Sequence, residues 1–307
     1  MSVNLRANQS KALWYHLGAL LTVTAWGVSF VSTKVLLEHG INPTEVYVVR
    51  TLLAYLLVLC VCHKRIFSNS FRDELLFVSC GLCAGSLYFI AENTALEYTL
   101  VSNVSLIVTL SPLITTLLVG AIYKNERPGK GVLMGSLIAF LGVGCVIFNS
   151  SFVLDVKPLG DLLSLSAAVC WSVYSLVLRK LSAFYTVMFI SRKTFFYGMV
   201  TAIPFLIAIP EHTPLDVYLQ FDVWSNFLFL GVFCSMIAFI IWAFTVKGLG
   251  AIKANNYLYV QPIITLIASA LLLSEKVSIV GYVGCSLILL GVWISDRMSL
   301  SLIHISE

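Results

Sequence analysis

A carboxylate in the middle of an apolar run is costly, and Glu92 is one: it lies in Tyr88-Phe89-Ile90-Ala91-Glu92-Asn93, far from either end of its run. An ionisable side chain at bilayer depth costs about 2.5–3.5 kcal/mol on the insertion scale, so it lines a cavity or finds a partner. Two roles are open for Glu92. Either it titrates, or binds a substrate amine, in a central cavity, or it forms a structural ion pair with Arg50 or Arg192. Arg192 and Lys193 stand about a turn and a half into a later run, amid Phe189, Phe195, Phe196 and Tyr197. A planar guanidinium suits a carboxylate or phosphate, which makes Arg192 a candidate for an anionic substrate group. The alternative is a helix that starts later, with both side chains reaching up to the membrane surface. Arg50 carries the same ambiguity at the opposite surface.

Around these charges the sequence offers walls and amides. Trp26, Tyr88, Trp171, Tyr174, Trp242, Tyr257 and Tyr259 present flat apolar faces with a hydrogen-bonding handle, although aromatics also gather at headgroup level. Asn93, Asn103, Asn255, Asn256 and Gln261 add polar groups that a lipid-facing position would strand. The candidate substrate-binding set is therefore Trp26, Tyr88, Glu92, Asn93, Trp171, Tyr174, Arg192, Trp242, Asn256 and Tyr259, with Glu92 as the candidate coupling group. Pro112 and Pro262 each remove a backbone donor inside an apolar run, which permits a kink or hinge. Gly81/Gly85 and Gly131/Gly135 have small-xxx-small spacing and read as helix packing. Of the eight cysteines, Cys80 and Cys83 form a CxxC, read as small residues at a helix contact. The five histidines sit near the ends of runs or in loops and make no ligand spacing, so neither metal nor cofactor is expected.

The elements that must hold these groups are membrane helices. Hydrophobic residues make up 59% of the 307 and charged residues only 11%, with a mean hydropathy of +0.94. A soluble domain carries about 25% charged residues, so most of this chain must face lipid or itself. The net charge of +4 is not gathered into a patch, which argues against a nucleic-acid partner. Runs long enough for a bilayer helix occur at Trp14–Leu37, Glu45–Cys62, Leu75–Leu96, Val101–Tyr123, Val132–Phe148, Leu159–Leu178, Thr186–Ile209, Trp224–Val246, Ala254–Leu273 and Ile279–Ser295. Alternate loops hold the cations, among them Lys64, Arg65 and Arg72, then Arg179 and Lys180, then Lys247 and Lys253. The loops between hold chiefly acids. The positive-inside rule then places both termini in the cytoplasm and makes the number of spans even. Residues 1–12 read as a polar cytoplasmic tail, and residues 297–307 as a second tail whose last residues follow no pattern.

The halves repeat. Trp26 precedes Lys34 by the same eight residues that separate Trp171 from Arg179, and Pro112 matches Pro262. Glu126, Gly135 and Gly142 return with equal spacing as Glu275, Gly284 and Gly291. Five spans per half is an odd number, so the second copy enters the membrane from the opposite side. An inverted repeat offers two near-equivalent conformations about a central site. The expected fold is thus an all-α integral membrane protein of about ten helices, as two inverted five-helix repeats at 13–150 and 151–296.

With these features, Arg50, and the stretch Asn93-Thr94-Ala95-Leu96-Glu97-Tyr98-Thr99 with Ser102 and Asn103, the chain resembles the drug/metabolite transporter superfamily and its EamA-type members. The resemblance covers about residues 13–296. It implies movement of small organic solutes, often amino acids and related metabolites, by alternating access in a bacterial inner membrane. It names no substrate. An uncoupled facilitator or channel stays open beside a proton-coupled exporter, as do a monomer and a homodimer. No catalytic constellation points to an enzyme.

Overall fold

The computed structural model describes residues 2–98, 104, 107–123, 128–147, 158–272 and 279–301; Thr99, Ser102, Asn103, Glu126 and Glu275 lie outside them. Regular structure among the described residues is entirely helical. Helix α1 (Ser2–Glu38) runs back through the polar residues read as a tail. Helix α2 (Pro43–Val61) has a sequence-encoded start. Asn42 Oδ1 accepts from Thr44 N at 2.9 Å, Asn42 N donates to Glu45 Oε2 at 3.4 Å, and Pro43 occupies the first turn, where its missing N–H is harmless. Asn42→Ala is expected to cost about 1 kcal/mol, seen as a fall of roughly 2–4 °C in the unfolding temperature of the purified protein. An unchanged melting curve would mean that packing alone holds this end.

Helix α3 (Phe71–Tyr98) starts at the Ser70 cap and is interrupted by a π-turn at Leu82–Ser86, where Gly85 leaves helical geometry with φ −124° and ψ −110°. Next come α4 (Ser111–Ile122), α5 (Lys130–Ile147), α6 (Pro158–Leu181) and α7 (Val187–Ile207), the last capped by Thr186. Helix α8 (Phe221–Leu249) contains a second π-helical stretch at Phe229–Ile237. Helix α9 follows Gly250, which sits at φ +82° in a left-handed turn that favours glycine. It has three pieces: Ala251–Asn256, a 3-10 turn at Tyr257–Val260, and Gln261–Leu272. Helix α10 (Ile279–Ser301) closes the fold. Pro112 and Pro262 each lie in the first turn of a helical piece that restarts after a tight break. That is a different placement from a mid-helix kink, and it is the same in both halves.

Leu13–Glu38, Pro43–Val61, Phe71–Tyr98, Pro158–Leu181 and Phe221–Leu249 are long and apolar enough to cross a bilayer, and Ser111–Ile122, Lys130–Cys145 and Ile279–Ser295 are shorter apolar helices. Large apolar side chains such as Leu56, Leu137, Leu141, Phe205, Leu289 and Trp293 face outward, which suits a hydrocarbon solvent.

The two sets of five helices interlock. Helix α1 packs on α8 and α9, and α6 packs on α3 and α4. Helix α2 packs on α7, and α5 on α10. Exchanging α1–α5 with α6–α10 carries this contact pattern onto itself. The π-turns of α3 and α8 correspond in the same way. At the α5–α10 seam, a Cβ on Gly135 would lie 2.6 Å from both Gly291 O and Ser295 N, so the backbones touch. Gly81 and Gly85 likewise bring α3 against Gly198 of α7. The small-residue pairs seen in the sequence are packing sites.

Candidate functional site

The helices converge on a cavity in the middle of the bundle. Its wall is Trp26, Ser29 and Phe30 of α1, Arg50 of α2, Tyr88, Phe89 and Glu92 of α3, Val108 and Thr109 with Ser111 of α4, Trp171 of α6, and Leu258 and Gln261 of α9. Both halves contribute. Its volume is about 30 Å³, room for a water or two, so the helices stand close around it.

Aromatic rings set its shape. The repeat-related Trp26 and Trp171 meet edge to face, centroids 5.1 Å apart at 87°. Each indole is fixed by its N–H: Trp26 Nε1 donates to Cys234 O at 2.9 Å, and Trp171 Nε1 to Asn255 Oδ1 at 3.1 Å. Trp242 packs tilted behind Trp26 with centroids 5.2 Å apart, and Tyr174 behind Trp171 at 5.3 Å. Such anchoring removes rotamer freedom before any ligand arrives.

Two opposite charges face the same space. Glu92, 7% exposed, accepts from Tyr88 Oη at 2.7 Å, one helical turn earlier. Arg50, 2% exposed, donates from Nε to Ser235 Oγ at 2.9 Å, and its guanidinium lies 4.5 Å from the centroid of the Phe89 ring. Its Nη2 is buried with no hydrogen-bond partner. Among the described residues no ion pair within 4.0 Å joins Arg50 to Glu92. Arg50 therefore keeps an unused donor beside the cavity that it lines. A buried polar group without a partner is costly, and an anionic ligand group would relieve it.

Of the sequence candidates, the cavity brings together Trp26, Tyr88, Glu92 and Trp171, while Trp242 and Tyr174 back the wall. The others stand elsewhere. Asn93 Nδ2 donates to Pro43 O at 3.1 Å and ties α3 to the start of α2. Asn256 Nδ2 donates to Ser295 Oγ at 2.6 Å, joining α9 to α10. Tyr259 packs with Ala139, Val143 and Ile288 in a satellite core. Arg192 sits near the start of α7 and donates to the carbonyls of Cys62, at 2.7 Å, and of Arg65. The substrate-binding set drawn from the sequence leaves out Ser29, Phe30, Arg50, Phe89, Val108, Thr109, Ser111, Leu258 and Gln261 of the wall. For Arg50 a signal existed: the Asn42–Glu45 capping box fixes where α2 begins, which puts Arg50 two turns inside.

Known proteins bear on this geometry. The sequence pattern of the EamA-like transporter family matches twice, at residues 13–148 and 158–295. An uncharacterized transporter of Archaeoglobus fulgidus is 26% identical over 279 residues, covering 90% of this chain and 96% of the relative. An Escherichia coli (strain K12) protein named "Probable amino-acid metabolite efflux pump" is 24% identical over 284 residues, covering 90% of this chain and 93% of that one. A solved crystal structure superposes with a TM-score of 0.74 at 18% identity, over 96% of this chain and 99% of the other, which speaks to the fold alone. A cavity built by two interlocked five-helix sets, with the family pattern present in each, leads to one conclusion: this chain belongs to the EamA-like transporter family.

Proposed function

We propose that the protein exports small zwitterionic metabolites such as amino acids by alternating access, with Glu92 carrying the coupling proton. The observation behind the reading is the placement of Arg50, with its free Nη2, and of Glu92 on one cavity shared by both halves. A carboxylate suits Arg50 and an amine suits Glu92, while the tryptophan cage accommodates an apolar side chain. A proton on Glu92 and a substrate amine would compete for the same oxygens, which is the basis of exchange. The name of the E. coli relative supports both the direction and the substrate class. In this reading the halves, 13–150 and 151–296, are inverted in the cell membrane. Both termini and the α2–α3 loop, with Lys64, Arg65 and Arg72, are cytoplasmic.

Reconstituted into proteoliposomes, the protein is expected to show saturable amino-acid flux that follows an imposed pH gradient. In Glu92→Gln the gradient should no longer raise the flux, which falls to the level measured with the gradient collapsed. Gradient-driven flux preserved in Glu92→Gln would remove the coupling role. Saturable flux indifferent to the gradient in the parent protein would make it a facilitator.

A further inference from the structure

We infer that the amino-terminal piece of α3, Phe71–Gly81, is the inner gate of the cavity, hinged at the π-turn Leu82–Ser86 and latched by Glu74 on Lys193 and Tyr197. The inference deepens the transporter reading and rests on it.

The hinge separates two jobs on one helix. Beyond the π-turn α3 carries the cavity residues Tyr88, Phe89 and Glu92; before it the helix carries Asp73 and Glu74. A π-turn has wider, weaker hydrogen-bond geometry than the α-helix around it and frequently marks a functional site. Gly85, the residue out of helical geometry, is also where a Cβ would sit 2.5 Å from Tyr47 Oη. Ser86 and Thr201 hydroxyls meet at 2.7 Å and pin the far side of the turn to α7.

The latch is a set of bonds from the first turns of α7 to the α2–α3 loop and the gate piece. Lys193 pairs with Glu74, and Tyr197 Oη donates to the same oxygen at 2.6 Å. Tyr185, just before α7, donates to Asp73 Oδ2 at 2.7 Å and accepts from Asn69 N at 2.7 Å. Removal from solvent raises the pKa of the Tyr185 phenol, with Asp73 adding to the effect, so it remains a donor. The Lys193 side chain is 6% exposed and that of Glu74 20%. Separating them leaves a buried cation unpaired unless water enters, so opening and wetting are one event.

A second small space adjoins both the latch and the cavity. Between them lies a chamber of about 10 Å³ lined by Tyr47, Thr51, Gly85, Thr194, Ser235 and Phe89, among others. Tyr47 Oη and Thr194 Oγ1 are buried there without hydrogen-bond partners. Thr194 neighbours the latch lysine, and Phe89 lines both spaces, as Arg50 of the cavity bonds Ser235 of the chamber. Exchange of the halves points to the opposite end, where the start of α2 is tied to the loop before α8. There His212 Nδ1 and Thr213 Oγ1 of the α7–α8 loop meet Glu45 at the start of α2, at 3.0 and 2.5 Å, and α8 has its own π-stretch. Side-chain bonds thus join α2 and α7 to neighbouring segments at both ends of the bundle.

The test is reactivity of a single cysteine placed at Thr51, in an otherwise cysteine-free full-length chain, toward a membrane-impermeant maleimide applied from the α2–α3 loop side. Glu74→Gln is expected to raise the labelling rate on the order of tenfold by shifting the closed–open population. The exchange Glu74→Lys with Lys193→Glu should restore the slow rate, and Lys193→Met should match Glu74→Gln. Monodispersity on size exclusion keeps misfolded variants out of the comparison. Unchanged labelling in both single variants, or a rise that the charge exchange does not reverse, overturns the gate. Labelling requires no transport, so its failure is separable from failure of the flux experiment.

Discussion

Arg50→Gln is expected to raise the KM for a carboxylate-bearing substrate on the order of a hundredfold, because truncating one partner of a buried charged hydrogen bond costs about 2–5 kcal/mol. Arg50 is suited to the role by what already holds it. Its Nε is engaged by Ser235 and its face by Phe89, so the guanidinium is held in place with a donor to spare before substrate arrives. Ser235→Ala, which loosens this hold without removing the charge, should have a smaller effect. Arg50→Lys should rescue poorly, since a point charge does not reproduce the planar fork. The discriminating measurement compares a free amino acid with its amide in proteoliposomes. The parent should prefer the free acid, and Arg50→Gln should lose that preference. A variant that still discriminates acid from amide would place carboxylate recognition elsewhere in the bundle.

The second large effect concerns stability. Gly291→Val should lower the unfolding temperature by about 2–5 °C, the scale expected when overpacking costs about 1–3 kcal/mol. A Cβ at Gly291 meets the backbone of Ala139 and of Gly135 across the seam, and backbone cannot rotate away as a side chain can. In lipid no hydrophobic effect compensates a lost contact, since the acyl chains are as apolar as valine; helix association depends on close packing. Gly144, on the facing helix α5, is the control: a Cβ added there would meet nothing within 4 Å, and Gly144→Ala should melt with the parent. Equal melting temperatures for Gly291→Val and Gly144→Ala would show that the seam yields.

Sequence disclosed the two halves because Trp26–Lys34 and Glu126–Gly135–Gly142 recur with equal spacing as Trp171–Arg179 and Glu275–Gly284–Gly291, and Trp26 and Trp171 are in contact across the centre. Glu92 was legible from the cost of burying a carboxylate. The rest failed for physical reasons. In a bilayer both faces of a helix are apolar, one toward lipid and one toward protein, so periodicity does not say which way Asn93 or Tyr259 points. Arg192 and Arg50 looked alike, each a cation near the start of a run. What separates them is where the neighbouring loop folds: residues 62–66 return over Arg192 and offer carbonyls, whereas Arg50 has only a serine and a ring. The π-turns leave no propensity signal, because they arise where α3 and α8 pack against the other half.

The swapped packing also bears on how the chain is made. Residues leave the ribosome in order, and domains ordinarily fold as they emerge. Here α1 finds its main partners in α8 and α9, more than 180 residues downstream. The first five helices must wait in the lipid with their inner faces uncovered until the second five arrive. Assembly is completed only near the end of translation, and neither half is a finished object by itself.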